Sequence, residues 1–288
     1  MTPVRPPSRG VVCLPALDVR RRPDHRSELR SQLLLGEVVR RLGQGRDRKW
    51  WRVENLEDGY VGWVRTWGIV PAGTRRANLW RRRARCRVVR SHAEVRTGRG
   101  SGALVSPLFL NCRVIPGRSN GRFRWVELPD GRCGWIEARA IQVGFRGRPS
   151  LVERVLSLLG VPYLWGGRTP MGMDCSSFTQ QVLLEQGVLL PRDADKQFRS
   201  ASRLSRGQPP REGDLVFFGV GKGPVGHVGL ALGGGYYAHS RGRVRINSTL
   251  SDNPLWDSEL ADQFRGFRRP LRRPLRGGPG GARRAESA

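Results

Sequence analysis

Lysine is almost missing from this chain. Lys49, Lys196 and Lys222 are the only three among 52 basic residues, and against 24 acids the formal net charge is +28. An arginine bias this lopsided, beside 38 Gly and 20 Pro, is what GC-rich codon usage produces without functional pressure. The basic residues gather in two places: residues 75–90 hold eight Arg, and the stretch from Arg265 onward holds eight against one acid. Such a surface attracts polyanions non-specifically, so the charge names no specific nucleic-acid partner. Long apolar runs are also lacking. None approaches the ~18 residues of a membrane span, and Met1–Pro7 has no apolar signal-peptide core. The expected location is cytoplasmic, with cell association or a non-standard export route as the alternative. Five cysteines form no CxxC pair, which leaves a zinc ribbon or redox motif unsupported and makes reduced thiols the expectation. A hydrophobic content of 38% with nine Trp excludes a wholly disordered chain.

What is present begins with a repeat. Asp18-Val19-Arg20, Trp50-Trp51-Arg52-Val53 and Asp58-Gly59-Tyr60-Val61-Gly62-Trp63-Val64 recur in order as Glu94-Val95-Arg96, Arg124-Trp125-Val126-Glu127 and Asp130-Gly131-Arg132-Cys133-Gly134-Trp135-Ile136. Each copy consists of short alternating apolar segments punctuated by Asp-Gly hairpin turns, the pattern of a small β-barrel. The copies are placed at residues 11–71 and 85–145, with Arg-rich residues 72–84 as the linker. Residues 1–10 and 271–288, rich in Pro, Gly and Arg, are expected to be disordered.

From residue 150 to 270 the pattern changes. Ser150 and Glu153 form a capping box that opens a helix with apolar positions Val152, Val155, Leu156 and Leu159, stopped by Gly160 and Pro162. A second helix starts at Asp174, an N-cap residue type, and runs toward Gly187. Strand-like runs follow at 215–218, 227–232, 236–240 and 243–246. The fold class is therefore multidomain: two small all-β barrels, then an α+β domain with helices before an antiparallel sheet.

Cys175 stands in the first turn of that second helix, where the dipole and free N–H groups favour a thiolate nucleophile. His227 and His239 flank Gly233-Gly234-Gly235 in one hairpin, which puts them a diagonal step of about 5–8 Å apart on neighbouring strands. One imidazole then faces the sulfur and the other orients it, a Cys-His-His triad.

The order of Pro162-Tyr163-Leu164-Trp165-Gly166-Gly167, Met173-Asp174-Cys175-Ser176-Ser177-Phe178, Leu190-Pro191-Arg192-Asp193, Gly213-Asp214-Leu215 and Gly226-His227-Val228-Gly229 resembles the NlpC-type cysteine peptidases, papain-like enzymes acting on peptidoglycan stem peptides. The repeat resembles the bacterial SH3-like domains that accompany wall enzymes. Together they look like the dipeptidyl-peptidase VI type, γ-D-glutamyl-L-diamino acid endopeptidases acting on peptides with a free N-terminal L-Ala.

That resemblance implies roles for single residues. Cys175 is the nucleophile, His227 the general base and acid, and His239 the orienting member. The Cys175 N–H and the Tyr163 hydroxyl hold the oxyanion, and Asp174 and Ser176 line the subsite for the amino end. Glu37 and Tyr60 of the first barrel close over the amine. No cofactor or metal is implied, and the partners are peptidoglycan-derived peptides. Packing readings stand beside these: Asp174 as a helix cap, Tyr163 and Trp165 as core, Glu37 as an exposed turn residue, Tyr60 packed on Trp63. Ser177, Met173, Ala194 and Asp195 depart from the family pattern. The alternative function is a wall-binding protein with an inactive, acyltransferase or amidase catalytic domain.

Overall fold

The computed structural model describes residues 7–144 and 149–271; of the stretches 1–10 and 271–288 expected to be disordered, 1–6 and 272–288 lie outside the described residues, whereas Arg9 and Gly10 are a correction, since they belong to the first strand. The first repeat copy is a seven-stranded sheet of β1 (Arg9–Val12), β2 (Ala16–Arg20), β3 (Leu29–Leu34), β4 (Val38–Gln44), β5 (Trp50–Asn55), β6 (Val61–Arg65) and β7 (Ile69–Ala72), in the order β3-β2-β6-β5-β4-β1-β7. The expected linker contains a helix, α1 (Thr74–Arg83), which buries Ala77 and Trp80 and has three arginines in its last turn. Two apolar residues one turn apart suffice to dock it, and Trp80 Nε1 donates to the Gly36 carbonyl at 3.0 Å.

The second copy repeats the topology. Strands β8 (Cys86–Val88), β9 (His92–Arg96), β10 (Leu104–Phe109), β11 (Arg113–Asn120), β12 (Phe123–Glu127), β13 (Cys133–Glu137) and β14 (Ile141–Val143) run in the order β10-β9-β13-β12-β11-β8-β14. Strands β6 and β13 bury alternate residues, Gly62 and Val64 in one and Gly134 and Ile136 in the other. Both glycines are required by close approach: a Cβ would lie 2.3 Å from Val19 Cγ1 at Gly62 and 2.4 Å from the Arg96 carbonyl oxygen at Gly134.

In the last part of the chain, α2 (Leu151–Leu156) opens with the Ser150/Glu153 capping box, as the sequence predicts. Its buried face differs from the expected one. Leu151, Arg154 and Val155 point inward, whereas Leu156 and Leu159 are 51% and 44% exposed. Arg154 takes the core position because it pairs with the buried Glu185 carboxylate and donates to the Val89 carbonyl at 2.5 Å. A short ribbon, β15 (Arg168–Thr169) and β16 (Gly172–Met173), leads into α3 (Cys175–Glu185), every residue of which is buried. After α4 (Ala194–Ser200), strands β17 (Ser202–Arg203), β18 (Leu215–Phe218), β19 (His227–Gly233), β20 (Tyr236–Arg241), β21 (Arg243–Ser248), helix α5 (Ser258–Asp262) and β22 (Phe264–Arg269) complete the fold. The antiparallel sheet has the order β17-β22-β18-β19-β20-β21, and α3 packs on it through Phe178 and Val182 against Val228, Leu230 and Ala238.

Both sheets of the repeat press on this last unit. Gln180 Nε2 donates to Asp58 Oδ2 at 3.1 Å, Asn111 Nδ2 donates to the Gln181 carbonyl at 3.1 Å, and Leu110 belongs to the core around α3. The first sheet is therefore held over the N-terminal end of α3, where Cys175 lies. No helix among the described residues is long and apolar enough to cross a membrane.

Candidate active site

Asp174 caps α3 by accepting from the Ser177 N–H at 2.8 Å. Its carboxylate also accepts from Arg192 Nη1 at 2.9 Å and Nη2 at 2.5 Å, from the Gly166 N–H at 3.0 Å and from Ser176 Oγ at 3.2 Å. Ser176 Oγ in turn accepts from Arg192 Nη1 at 2.9 Å, and Arg192 Nε donates to Ser31 Oγ of β3 at 3.0 Å. A carboxylate with a bidentate arginine and three further donors has no lone pair left for a substrate ammonium. Asp174 and Ser176 line the cavity, but they build its wall.

Cys175 sits at the start of α3 and is buried. The dipole argument predicts a lowered pKa; burial reverses it. Desolvation, reinforced by the Asp174 charge, pushes the thiol up to about 12, against the pull of backbone N–H bonds from Val228 and Ser176. The Val228 contact places the sulfur beside the residue that follows His227 on β19.

Strand register positions the imidazoles. Gly229 pairs with His239 across β19 and β20, and His239 pairs with Arg245 across β20 and β21. His227 and His239 are therefore diagonal neighbours, and Asn247 is displaced from His239 by the same two-residue step. His227 Nε2 lies 2.7 Å from His239 Nδ1, and His239 Nε2 lies 2.9 Å from Asn247 Oδ1. The Asn247 amide nitrogen donates to the Leu255 carbonyl at 2.8 Å, which leaves Oδ1 as the acceptor. His239 then carries its proton on Nε2, since the 3.4 Å approach of Arg245 Nε is too long to compete. His239 Nδ1 accepts from His227 Nε2–H, and His227 Nδ1 is left as a free base. Burial, followed by the charges of His239, Arg241 and Arg245, pulls His227 down to about 3; burial likewise pulls His239 down to about 4. At rest the thiol and both imidazoles are neutral.

A cavity of about 360 Å³ opens over Cys175, lined by Glu28, Arg30, Tyr60, Tyr163, Trp165 and Asp193 among others. Burial, with the charges of Cys175 and Asp174, pushes the Tyr163 hydroxyl up to about 12, so it remains a proton donor at neutral pH. Tyr60 is also raised to about 12, by burial and then by Asp193, to which it hydrogen bonds. Trp165 is no core residue: it is 60% exposed, and Nε1 donates to Glu28 Oε1 at 3.1 Å. Asp195 lines the rim and pairs with Arg199.

Glu37 is a correction. It is only 2% exposed and faces Arg168, whose Nη1 and Nη2 donate to it at 3.2 and 3.0 Å. Leu34 N–H and Asn55 Nδ2 add bonds of 3.1 and 3.2 Å. Burial, joined by the charges of Glu57 and Asp58, pushes the Glu37 carboxyl up against the pull of Arg168. In Arg168 burial is outweighed by the Glu37 charge, which raises its pKa. Glu37 locks the first sheet to the α3 unit and does not line the cavity. The first-sheet acid that does is Glu28, which sequence reasoning missed, together with the roles of Arg192, Asp193 and Asn247. Only Asn247 left a signal, because its hairpin spacing from His239 puts it on the same diagonal as the two histidines.

Residues 160–265 match the NlpC/P60 family, and residues 19–69 match the bacterial dipeptidyl-peptidase Sh3 domain. A gamma-D-glutamyl-L-lysine dipeptidyl-peptidase of Bacillus subtilis is 44% identical over 168 residues, 55% of this chain and 55% of that protein. Dipeptidyl-peptidase 6 of Lysinibacillus sphaericus is 32% identical over 162 residues, 50% of this chain and 55% of that protein. The chain thus spans about half the length of these relatives. The crystal structure of an NlpC/P60 family protein from Bacillus cereus superposes with a TM-score of 0.77 at 21% identity, covering 92% of this chain and 100% of that one, a likeness of fold.

Proposed function

This chain joins a bacterial dipeptidyl-peptidase Sh3 domain to an NlpC/P60 domain, and on that premise we propose that it is a cysteine peptidase hydrolysing the γ-D-glutamyl–diamino acid bond of peptidoglycan stem peptides with a free N-terminal L-Ala. The observation that carries this reading is the hydrogen-bonded line His227–His239–Asn247, together with the Cys175 sulfur accepting from the N–H of Val228, the residue after His227. Its tautomers leave His227 Nδ1 as the proton acceptor. Substrate binding expels water from the cavity, and the thiol proton moves to His227 Nδ1 as sulfur attacks the γ-carbonyl carbon. The oxyanion is met by the Cys175 N–H and the Tyr163 hydroxyl. As the intermediate collapses, the C–N bond breaks and His227 returns the proton to the leaving amine. Water, deprotonated by His227, then hydrolyses the thioester and frees L-Ala-D-Glu.

The amine end is read by Glu28 and the Tyr60–Asp193 pair, in place of Glu37, and Arg30 meets the α-carboxylate of D-Glu. The second seven-stranded sheet, which shares the strand order of the first, is a second SH3-like module. Acid-quench mass spectrometry tests the covalent step. An L-Ala-γ-D-Glu adduct on a Cys175-containing peptide is expected in wild type and not in Cys175→Ala. Turnover without any adduct, or with one on another cysteine, contradicts it.

A further inference from the structure

Beside the line His227–His239–Asn247 stands a charged pair that the reaction sequence above does not use. Arg245 of β21 lies directly opposite His239 of β20 in the strand register, and cross-strand partners share one face of a sheet. Its Nε lies 3.4 Å from His239 Nε2, and its Nη2 donates to Asp257 Oδ2 at 2.9 Å. Asp257 is fixed in turn. It accepts from the Leu260 N–H at 3.1 Å as the cap of α5, and it pairs at 3.7 Å with Arg241, which also reaches Glu259 at 2.6 Å. The Arg245 and Asp257 side chains are 34% and 21% exposed, so water screens them incompletely. At 3.4 Å the guanidinium makes a poor hydrogen bond, but its charge acts strongly on the buried ring.

A line of two histidines needs such a charge. Two imidazoles start with the same basicity, and a proton that His227 takes from Cys175 can run on through the 2.7 Å bond to His239. Asn247 favours that transfer, because an acceptor on His239 Nε2–H stabilises the charged ring. The charged groups facing His239 are Arg245 from β21, Arg241 from its own strand and Asp257 from the head of α5. The other titratable neighbours are His227 of β19, the Tyr237 ring at 5.4 Å and, on the α3 side, Cys175 next to Val228. Arg245 is the foremost of the charges that make His239 less basic and the last of those acting on His227. With His227 near 3 and His239 near 4, the two bases are closely matched, and one adjacent charge decides which of them keeps the proton. We propose that Arg245 is a positioning residue of the reaction: held by Asp257 against the edge of His239, it denies that ring a second proton, so the proton from Cys175 remains on His227 Nδ1, from which it is returned to the leaving amine. This rests on the peptidase reading above.

The test compares R245M, R245K and D257N with wild type by two measurements. In Cys175→Ala protein labelled with ¹⁵N-histidine, the imidazole signals are titrated by NMR, only four histidines being present. In protein that keeps Cys175, kcat/KM for the free tripeptide is followed against pH. The His239 midpoint is expected to rise by about one pH unit or more in R245M and to stay near the wild-type value in R245K, which keeps the charge. It should not rise in D257N, which breaks the same ion pair, leaves the arginine charge in place and still caps α5. The acid limb of kcat/KM should move in the same order. An ion pair needed only for structure makes R245M and D257N behave alike; that result, or a His239 midpoint unmoved in R245M, overturns the assignment. Midpoints in the expected order without hydrolysis by wild type overturn the peptidase and leave the hold of Arg245 on His239 standing. R245K, with its charge retained, guards against a fold lost in R245M.

Discussion

Glu37→Gln is the sharpest perturbation, because the sequence and the structure assign that residue opposite jobs. In the structure, one carboxylate receives two bonds from Arg168, one from Leu34 N–H and one from Asn55. Gln keeps the shape but offers one acceptor oxygen, and its NH₂ points donors at donors. The Arg168 guanidinium, itself only 3% exposed, is left as a buried charge without its counter-ion. Removing one partner of such a pair costs about 3–5 kcal/mol, a large share of the roughly 5–15 kcal/mol that holds a domain folded. With an m value of about 3 kcal/mol/M, the urea midpoint should fall by about 1–1.7 M. The double variant Glu37→Leu/Arg168→Met should lose less, because no lone charge remains buried. Equilibrium urea unfolding followed by tryptophan fluorescence measures both, and peptide kinetics on surviving native protein give the preference for a free amine. A Glu37→Gln protein as stable as wild type that cuts free and N-acetylated peptides alike would refute this reasoning and restore Glu37 as the amine reader.

Other consequences are as direct. Asn247→Ala frees His239 to adopt the wrong tautomer, and kcat should fall by about 10²-fold, less than the ~10⁴ seen when the residue touching the catalytic imidazole is altered, with KM nearly unchanged in steady-state kinetics. Tyr60→Phe and Glu28→Gln should raise KM for the free-amine tripeptide while leaving the midpoint of urea unfolding in place. Stability should vary with pH on both sides of neutrality. His227 and His239 titrate lower when folded, near 3 and 4 against 6.5 unfolded, so the unfolded chain binds more protons and stability falls as pH drops below about 6.5. Cys175 is raised from 9 to about 12, so the unfolded chain loses its proton first and stability falls above about pH 9. Urea midpoints across pH should show this dome, with the alkaline limb shallower in Cys175→Ala.

What was legible in the sequence is what short-range rules control. The capping box at Ser150, the N-cap at Asp174, the two Asp-Gly turns and the diagonal histidines depend on residues a few positions apart, and each appears where expected. Features that depend on partners far along the chain were not legible. Glu37 and Arg168 are 131 residues apart, and nothing near either announces the other. The inward face of α2 was misread because Arg154 finds Glu185 and so occupies a core position that periodicity reserves for apolar side chains. The core-packing reading of Trp165 fails for the same reason, because its indole bonds Glu28 across 137 positions. The thiolate expected at Cys175 followed from the helix dipole, a local term, and was overturned by burial, a global one.

The central claim is a Cys175-dependent peptidase that reads a free amine. Product mass spectrometry on L-Ala-γ-D-Glu-diaminopimelate and its N-acetylated form, with wild type and Cys175→Ala side by side, tests it most directly. Release of L-Ala-D-Glu by wild type from the free peptide alone, and by Cys175→Ala from neither, is the predicted result. Equal cutting of both forms would contradict the amine reading, and no cutting by wild type, or undiminished cutting by Cys175→Ala, would contradict the peptidase itself.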